Sequence, residues 1–189
     1  MLEMTQASQA KETTQISLAF LIKDYAAYNL WANKKIVNWL KTKPRDIVER
    51  MVPSSFPSMR LTLVHIWDVE RSWLGNLLQV QTESNYGKDY DGTLKEVFEA
   101  VVQQSEALNA YAQSLTETSL QEGCRFMVPI RWPEWDEFIR PRFEIIQHCL
   151  THSVYHRGQV IAIARNIGLT DAPNTDYMTY MLTGNKMSG

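Results

Sequence analysis

The sequence predicts an all-α protein, a four-helix bundle with one long connection before its last helix. Its seven prolines lie outside the interiors of four long segments, as expected because proline cannot donate a backbone hydrogen bond within a helix. Apolar residues recur at three- and four-residue steps in these segments. At 189 residues and 44% hydrophobic composition, the chain can build one sizeable core but not a second full domain.

The four predicted helices cover residues 17–40, 58–80, 93–120 and 141–166. Thr93 followed by Glu96 has the spacing of a capping box, which marks the start of the third helix. Gly168 follows the fourth helix, where a left-handed residue commonly ends a helix. Four long helices with no other large element indicate a helical bundle.

The connection before the last helix, residues 124–142, is rich in aromatic and β-favouring residues around a proline-containing turn. It predicts a short hairpin or an ordered loop. Residues 86–92, with glycines among Asp and Tyr, are typical of a plain loop. We therefore expect a flexible tail at residues 1–15 and one bundle domain at residues 16–183.

Composition and charge narrow the classes of function. The formal net charge is −2, so no strong basic field would attract nucleic acid or an anionic membrane. No stretch approaches the roughly 18 uninterrupted apolar residues of a membrane span, and the N-terminal stretch has no apolar segment typical of a secretory signal. We expect a cytoplasmic protein in which Cys124 and Cys149 are free thiols.

The four histidines fall on two predicted helices. His148, His152 and His156 follow one another at four-residue spacing, and about 100° of rotation per residue places them in one narrow stripe. Two histidines one turn apart can bind one ion, and His65 on the second helix could complete the set. A single HxxxH pair is common by chance. The concentration of all four histidines on two apolar faces strengthens the metal-site interpretation, because buried imidazoles without partners are costly, but surface or core histidines remain the alternative at this point.

The residues around the stripe bear on the class of reaction. Ser153 follows His152 where a zinc peptidase of the HExxH type would carry glutamate, so that signature is absent. Three neutral histidine ligands leave at least one coordination position for water or substrate, as in an open catalytic site. No residue is assigned a catalytic role on this basis.

Four stretches together resemble the DinB/YfiT-like metalloenzyme superfamily. The last helix carries HCLTHSVYHRGQVIAIARNIG, in which a histidine is followed after three residues by HRGQ. YNLWANKKI on the first helix, TLVHIWDVERSWL on the second and TDYMTYML near the C-terminus agree in order and spacing. The resemblance covers the whole domain.

This resemblance implies an up-down-down-up four-helix bundle that binds one divalent metal ion through His65, His152 and His156. It implies that His148 packs beside or supports the ligands rather than being a fourth one. Zinc or nickel is expected first, and iron or manganese next, because imidazole suits several of these metals. The resemblance also implies a homodimer and a small-molecule substrate, with a low-molecular-weight thiol as a further partner.

Five other residues near the histidines carry open alternatives. Asp68 could orient an imidazole or accept a proton, but an ion pair with an arginine is favoured. Tyr155 and Gln159 could hydrogen-bond a substrate or serve packing. Arg157 points away from the stripe, which predicts a structural ion pair, and Gly158 inside a helix suggests that another group approaches closely there.

Three functions remain open from the sequence. The first is a metal-dependent enzyme of the thiol-dependent transferase, isomerase or hydrolase type. The second is a non-catalytic bundle that binds a metal or another ligand in a stress response. The third is an interaction module whose histidines bind nothing.

Overall fold

The computed structural model describes residues 16–80, 82, 90–131 and 134–184. The expected N-terminal tail, residues 1–15, and most of the predicted loop at residues 86–92 lie outside this part of the chain. The described chain is mostly helical with one small sheet. In chain order its elements are α1 (Leu18–Leu40), α2 (Arg45–Val48), α3 (Met59–Leu78), α4 (Leu94–Ser114), α5 (Glu117–Gln121), β1 (Gly123–Arg131), β2 (Glu134–Pro141), α6 (Arg142–Asn166) and α7 (Tyr177–Thr183).

The four long helices α1, α3, α4 and α6 pack around a common interior. Both α1 and α3 contact α4 and α6, so each long helix buries an apolar stripe against two neighbours. One half of the core surrounds Ile36, Leu63 and Ile163, and the other half surrounds Leu108 and Ile146. Burying each such side chain contributes about 1.5–3 kcal/mol.

Local sequence signals define several helix ends as expected. The Thr93 side chain accepts from the Glu96 backbone amide, and the Glu96 carboxylate accepts from the Thr93 amide, which confirms the capping box. Gly168 has a φ of 90°, which confirms the left-handed residue after α6. The Ser17 and Ser58 hydroxyls each accept a hydrogen bond from a backbone amide in the first turn, at the starts of α1 and α3.

The predicted third helix is too long. The helix ends at Ser114, because Leu115 is extended with a ψ of 146°. Thr116 then caps the separate short helix α5 through its own box with Ser119. The apolar periodicity continues through this break, but the two hydroxyl side chains satisfy the backbone groups of a new helix start.

The connection before α6 is an antiparallel hairpin of β1 and β2, as one of the two alternatives predicted. It is held beside the end of α3 by Gln79, whose side-chain amide donates to the Arg125 carbonyl oxygen at 2.8 Å. Gln79 itself has a φ of 57°, which ends α3 two residues before the predicted boundary.

Cys124 and Cys149 are buried free thiols, as expected. Among the described helices, none combines the length and apolarity needed to cross a bilayer.

Candidate metal centre

Helices α3 and α6 run antiparallel in the region of the histidines. Successive contacts pair His65 with His156, Glu70 with Ser153 and Trp73 with His148, so numbers rise along one helix as they fall along the other. This register places His65 of α3 opposite the turn of α6 that carries His152 and His156. The sequence alone did not determine this register.

The three predicted histidines form one compact group. Each of His65, His152 and His156 offers a ring nitrogen, and these atoms all lie within 4.8 Å of one another. The Nε2 atoms of His152 and His156 are 3.0 Å apart. Two nitrogens bound to one ion at about 2.0–2.1 Å in tetrahedral geometry lie about 3.4 Å apart. The donor set therefore fits a single ion after small ring adjustments.

Neighbouring side chains orient two of the three rings. The Gln159 Oε1 atom lies 2.7 Å from Nδ1 of His156. Because that oxygen only accepts, Nδ1 carries the proton and Nε2 presents its lone pair towards His152. Phe56 stacks on His65 with ring centroids 3.9 Å apart and an interplanar angle of 20°. The rings are held close to the arrangement that a metal would require.

Burial favours the uncharged form of His152 and His156. Burial, together with the nearby His156, His65 and His148, lowers the pKa of His152 to about 3. Burial also lowers the pKa of His156, although the hydrogen bond to Gln159 opposes this effect. In the described chain, the buried Nδ1 atom of His152 has no hydrogen-bond partner. Neutral imidazoles with free lone pairs are the form in which histidine binds a metal ion.

His148 lies apart from this group. Its ring centroid is 6.1 Å from that of His152, and it makes an edge contact with Trp73 at 4.8 Å. Among the described residues, the group that could hold an ion does not include it. The structure therefore gives His148 a packing contact at the edge of the site.

The other candidate residues near the histidines have distinct positions. Asp68 is fully buried and its Oδ1 atom accepts from Arg71 at 2.7 Å, so the predicted ion pair with an arginine is present. Tyr155 is exposed, and its ring stands edge-on to His156 with centroids 4.9 Å apart. Tyr155 is thus available beside the site, whereas Gln159 is already bonded to a candidate ligand.

Two predictions about α6 are wrong. Arg157 is buried, and its direct hydrogen-bond partners in the described chain are amide oxygens, Asn29 Oδ1 at 2.5 Å and Asn33 Oδ1 at 2.9 Å, instead of a carboxylate. A Cβ atom added to Gly158 would meet nothing within 4 Å. The predicted close approach fails because Gly158 borders an open groove of about 520 Å³ that Arg165 also lines.

A buried polar network beside the histidines was missed by the sequence analysis. Glu70 of α3 is fully buried. Its Oε1 atom accepts from Asn29 at 2.8 Å, Asn33 at 3.0 Å and Ser153 at 2.7 Å, and its Oε2 atom accepts from Ser105 at 2.8 Å. These partners come from the three other long helices. The only local signal was the pair of asparagines one turn apart on the apolar face of α1.

Comparison with known proteins supports a family assignment. A family model described as the DinB family matches residues 8–187. The chain is also similar to Protein DinB from Bacillus subtilis (strain 168), with 29% identity over 171 residues. That alignment covers 82% of this chain and 90% of the relative. The family match includes every described helix and all three grouped histidines.

Proposed function

The chain belongs to the DinB family, and we propose that it is a metal-dependent enzyme in which His65, His152 and His156 bind one divalent ion. The observation that carries the proposal is the convergence of three imidazole nitrogens from two helices within 4.8 Å. Three neutral protein ligands suit an open site, because a coordination position remains for substrate. Zinc or nickel is the proposed metal, followed by iron or manganese.

A divalent ion held there supplies a Lewis acid that lowers the pKa of a coordinated water or thiol and polarises a bound substrate. The chain's own residues position the reaction. Gln159 holds the His156 ring through Nδ1, and Phe56 holds the His65 ring by stacking. The exposed Tyr155 places a phenol group beside the site, where it can hydrogen-bond a substrate. The proposed reactions are thiol-dependent transfer or isomerisation, or hydrolysis.

A non-catalytic metal-binding bundle is the second candidate. His65 and His156 are only 7% and 5% exposed, and such burial also suits a closed structural site. The two candidates differ in access to the ion. An enzyme exchanges an added small ligand at the metal, whereas a closed site does not.

Elemental analysis of untagged protein tests metal binding directly. We expect one equivalent of metal in the wild type and its loss in the His152→Ala/His156→Ala double variant. The His148→Ala variant is the matched control, because it removes a histidine of the same stripe that lies outside the group. Wild-type protein that holds no metal after reconstitution would refute the enzyme and the metal-binding bundle together, and leave the interaction module.

Four finer features accompany this proposal as predictions. They are the up-down-down-up order of the long helices, a homodimer, a cytoplasmic location and a low-molecular-weight thiol partner. Sedimentation analysis tests the homodimer. Loss of a metal-dependent activity on removal of added thiol tests the thiol partner.

A further inference from the structure

Aromatic rings continue from the histidine group towards the hairpin. We name Trp73 of α3, Phe126 of β1 and Phe138 of β2 the aromatic row. Ring centroids are 5.5 Å apart between Trp73 and Phe126 and 5.9 Å apart between Phe126 and Phe138. His148 joins this row to His152, with centroid distances of 4.8 Å to Trp73 and 6.1 Å to His152.

The row lies at the boundary between the core and solvent. Trp73 and Phe126 are partly buried, where they pack against the core half around Leu108 and Ile146. Phe138 is 39% exposed, and His148 is exposed as well. An aromatic strip open on one side is available to cover part of a ligand, because burial of its remaining surface is favourable.

The hairpin is held in place beside the metal centre. Phe126 and Phe138 are direct cross-strand partners, so their side chains lie on one face of the sheet. Asn76 of α3 accepts from the Met127 backbone amide at 3.5 Å, and Gln79 donates to the Arg125 carbonyl oxygen. These contacts attach the strand that carries Phe126 to the helix that carries His65 and Trp73.

We propose that the aromatic row binds an apolar, planar part of the substrate whose donor atom is held at the three histidines. This inference rests on the proposed function and specifies its substrate class as amphipathic small molecules. The rings already contact one another in tilted, edge and stacked arrangements, and such geometries extend readily to one more ring. The His148 ring lies between the row and His152, so a linker that extends past this ring joins the two parts of the substrate.

Cobalt-loaded protein and two hydroxamates test the inference. Acetohydroxamate and 6-phenylhexanohydroxamate share one metal-binding head group, but the second carries a phenyl ring on a chain of methylene groups that can extend past the His148 ring. Calorimetric titration measures each affinity, while the visible cobalt spectrum reports binding at the ion. We expect the phenyl compound to bind about tenfold more tightly, because one well-packed aromatic contact contributes on that scale.

Substitutions in the aromatic row test whether its rings cause the preference for the phenyl compound. In Trp73→Leu and Phe138→Ala, we expect the preference to fall towards equality while cobalt content and the acetohydroxamate affinity stay unchanged. Phe20→Ala is the matched control, because Phe20 is an exposed aromatic on α1, 58% exposed and outside the row, and it should keep the full preference. Since Phe138 lies on an exposed strand, its variant carries the test if Trp73→Leu does not fold.

The outcomes separate the two proposals. Cobalt bound through the histidines with equal affinity for both hydroxamates overturns the aromatic row and leaves the metal-dependent enzyme standing. A preference that persists in both row variants also overturns the row. Failure of the wild type to bind cobalt, or of either hydroxamate to change its spectrum, overturns the proposed enzyme, and the substrate inference falls with it.

Discussion

Replacement of Glu70 by leucine should strongly destabilise the fold, although leucine fits an apolar helix face. The Glu70 carboxylate accepts hydrogen bonds from α1, α4 and α6 while fully buried. Leucine removes the acceptor but leaves the donors in place. Asn33 still donates to the Ser105 oxygen at 2.7 Å, whereas the Asn29 amide and the hydroxyl hydrogens of Ser105 and Ser153 lose their acceptor.

The expected loss of stability follows from the buried donors that no longer have an acceptor. Each buried donor without a partner costs about 1–3 kcal/mol. Burial lowers the pKa of Arg157, and the nearby Glu70 charge is one of the effects that oppose this shift. The variant therefore also removes a negative charge that favours the buried, charged form of Arg157. We expect the free energy of unfolding to fall by about 3–5 kcal/mol, against a typical total of about 5–15 kcal/mol.

Urea denaturation followed by far-ultraviolet circular dichroism measures this change. Glu106→Leu is the matched control, because Glu106 pairs with Lys34 at 2.7 Å while its side chain remains 49% exposed. A solvated pair of this kind contributes about 0–1 kcal/mol. If Glu70→Leu were no more destabilising than Glu106→Leu, the buried network would not hold the four helices together.

The other predictions concern the site, α6 and the thiols. Gln159→Ala releases the His156 ring and should weaken metal affinity about 10–100-fold at unchanged melting temperature, measured by chelator competition; unchanged affinity would contradict the orienting role. Gly158→Ala should stabilise α6 by about 1 kcal/mol in thermal unfolding, since the added Cβ meets open space; a lower melting temperature would reveal a contact. Burial raises the pKa of Cys124, and that of Cys149 well above its ordinary value, so both thiols stay protonated at neutral pH and should resist alkylation until the protein unfolds. Rapid alkylation of native protein would refute this.

Features that depend on short-range spacing were predicted best. The Thr93–Glu96 box and the turn at Gly168 each involve a few neighbouring residues, so their signals are complete within the local sequence. The break before α5 was missed although Thr116 and Ser119 form a similar box, because the apolar periodicity runs through it. The histidine stripe on α6 follows from helical geometry, while the choice of His152 and His156 came from the family resemblance.

The sequence by itself determined the four long helices, which of their faces are apolar and where the imidazoles lie along them. Only the tertiary structure decided which faces meet. Glu70 and Ser153 are 83 residues apart in the chain, and no local pattern encodes their hydrogen bond. The same holds for the open side of Gly158 and for the aromatic row, because the space around a side chain depends on how distant elements pack against it.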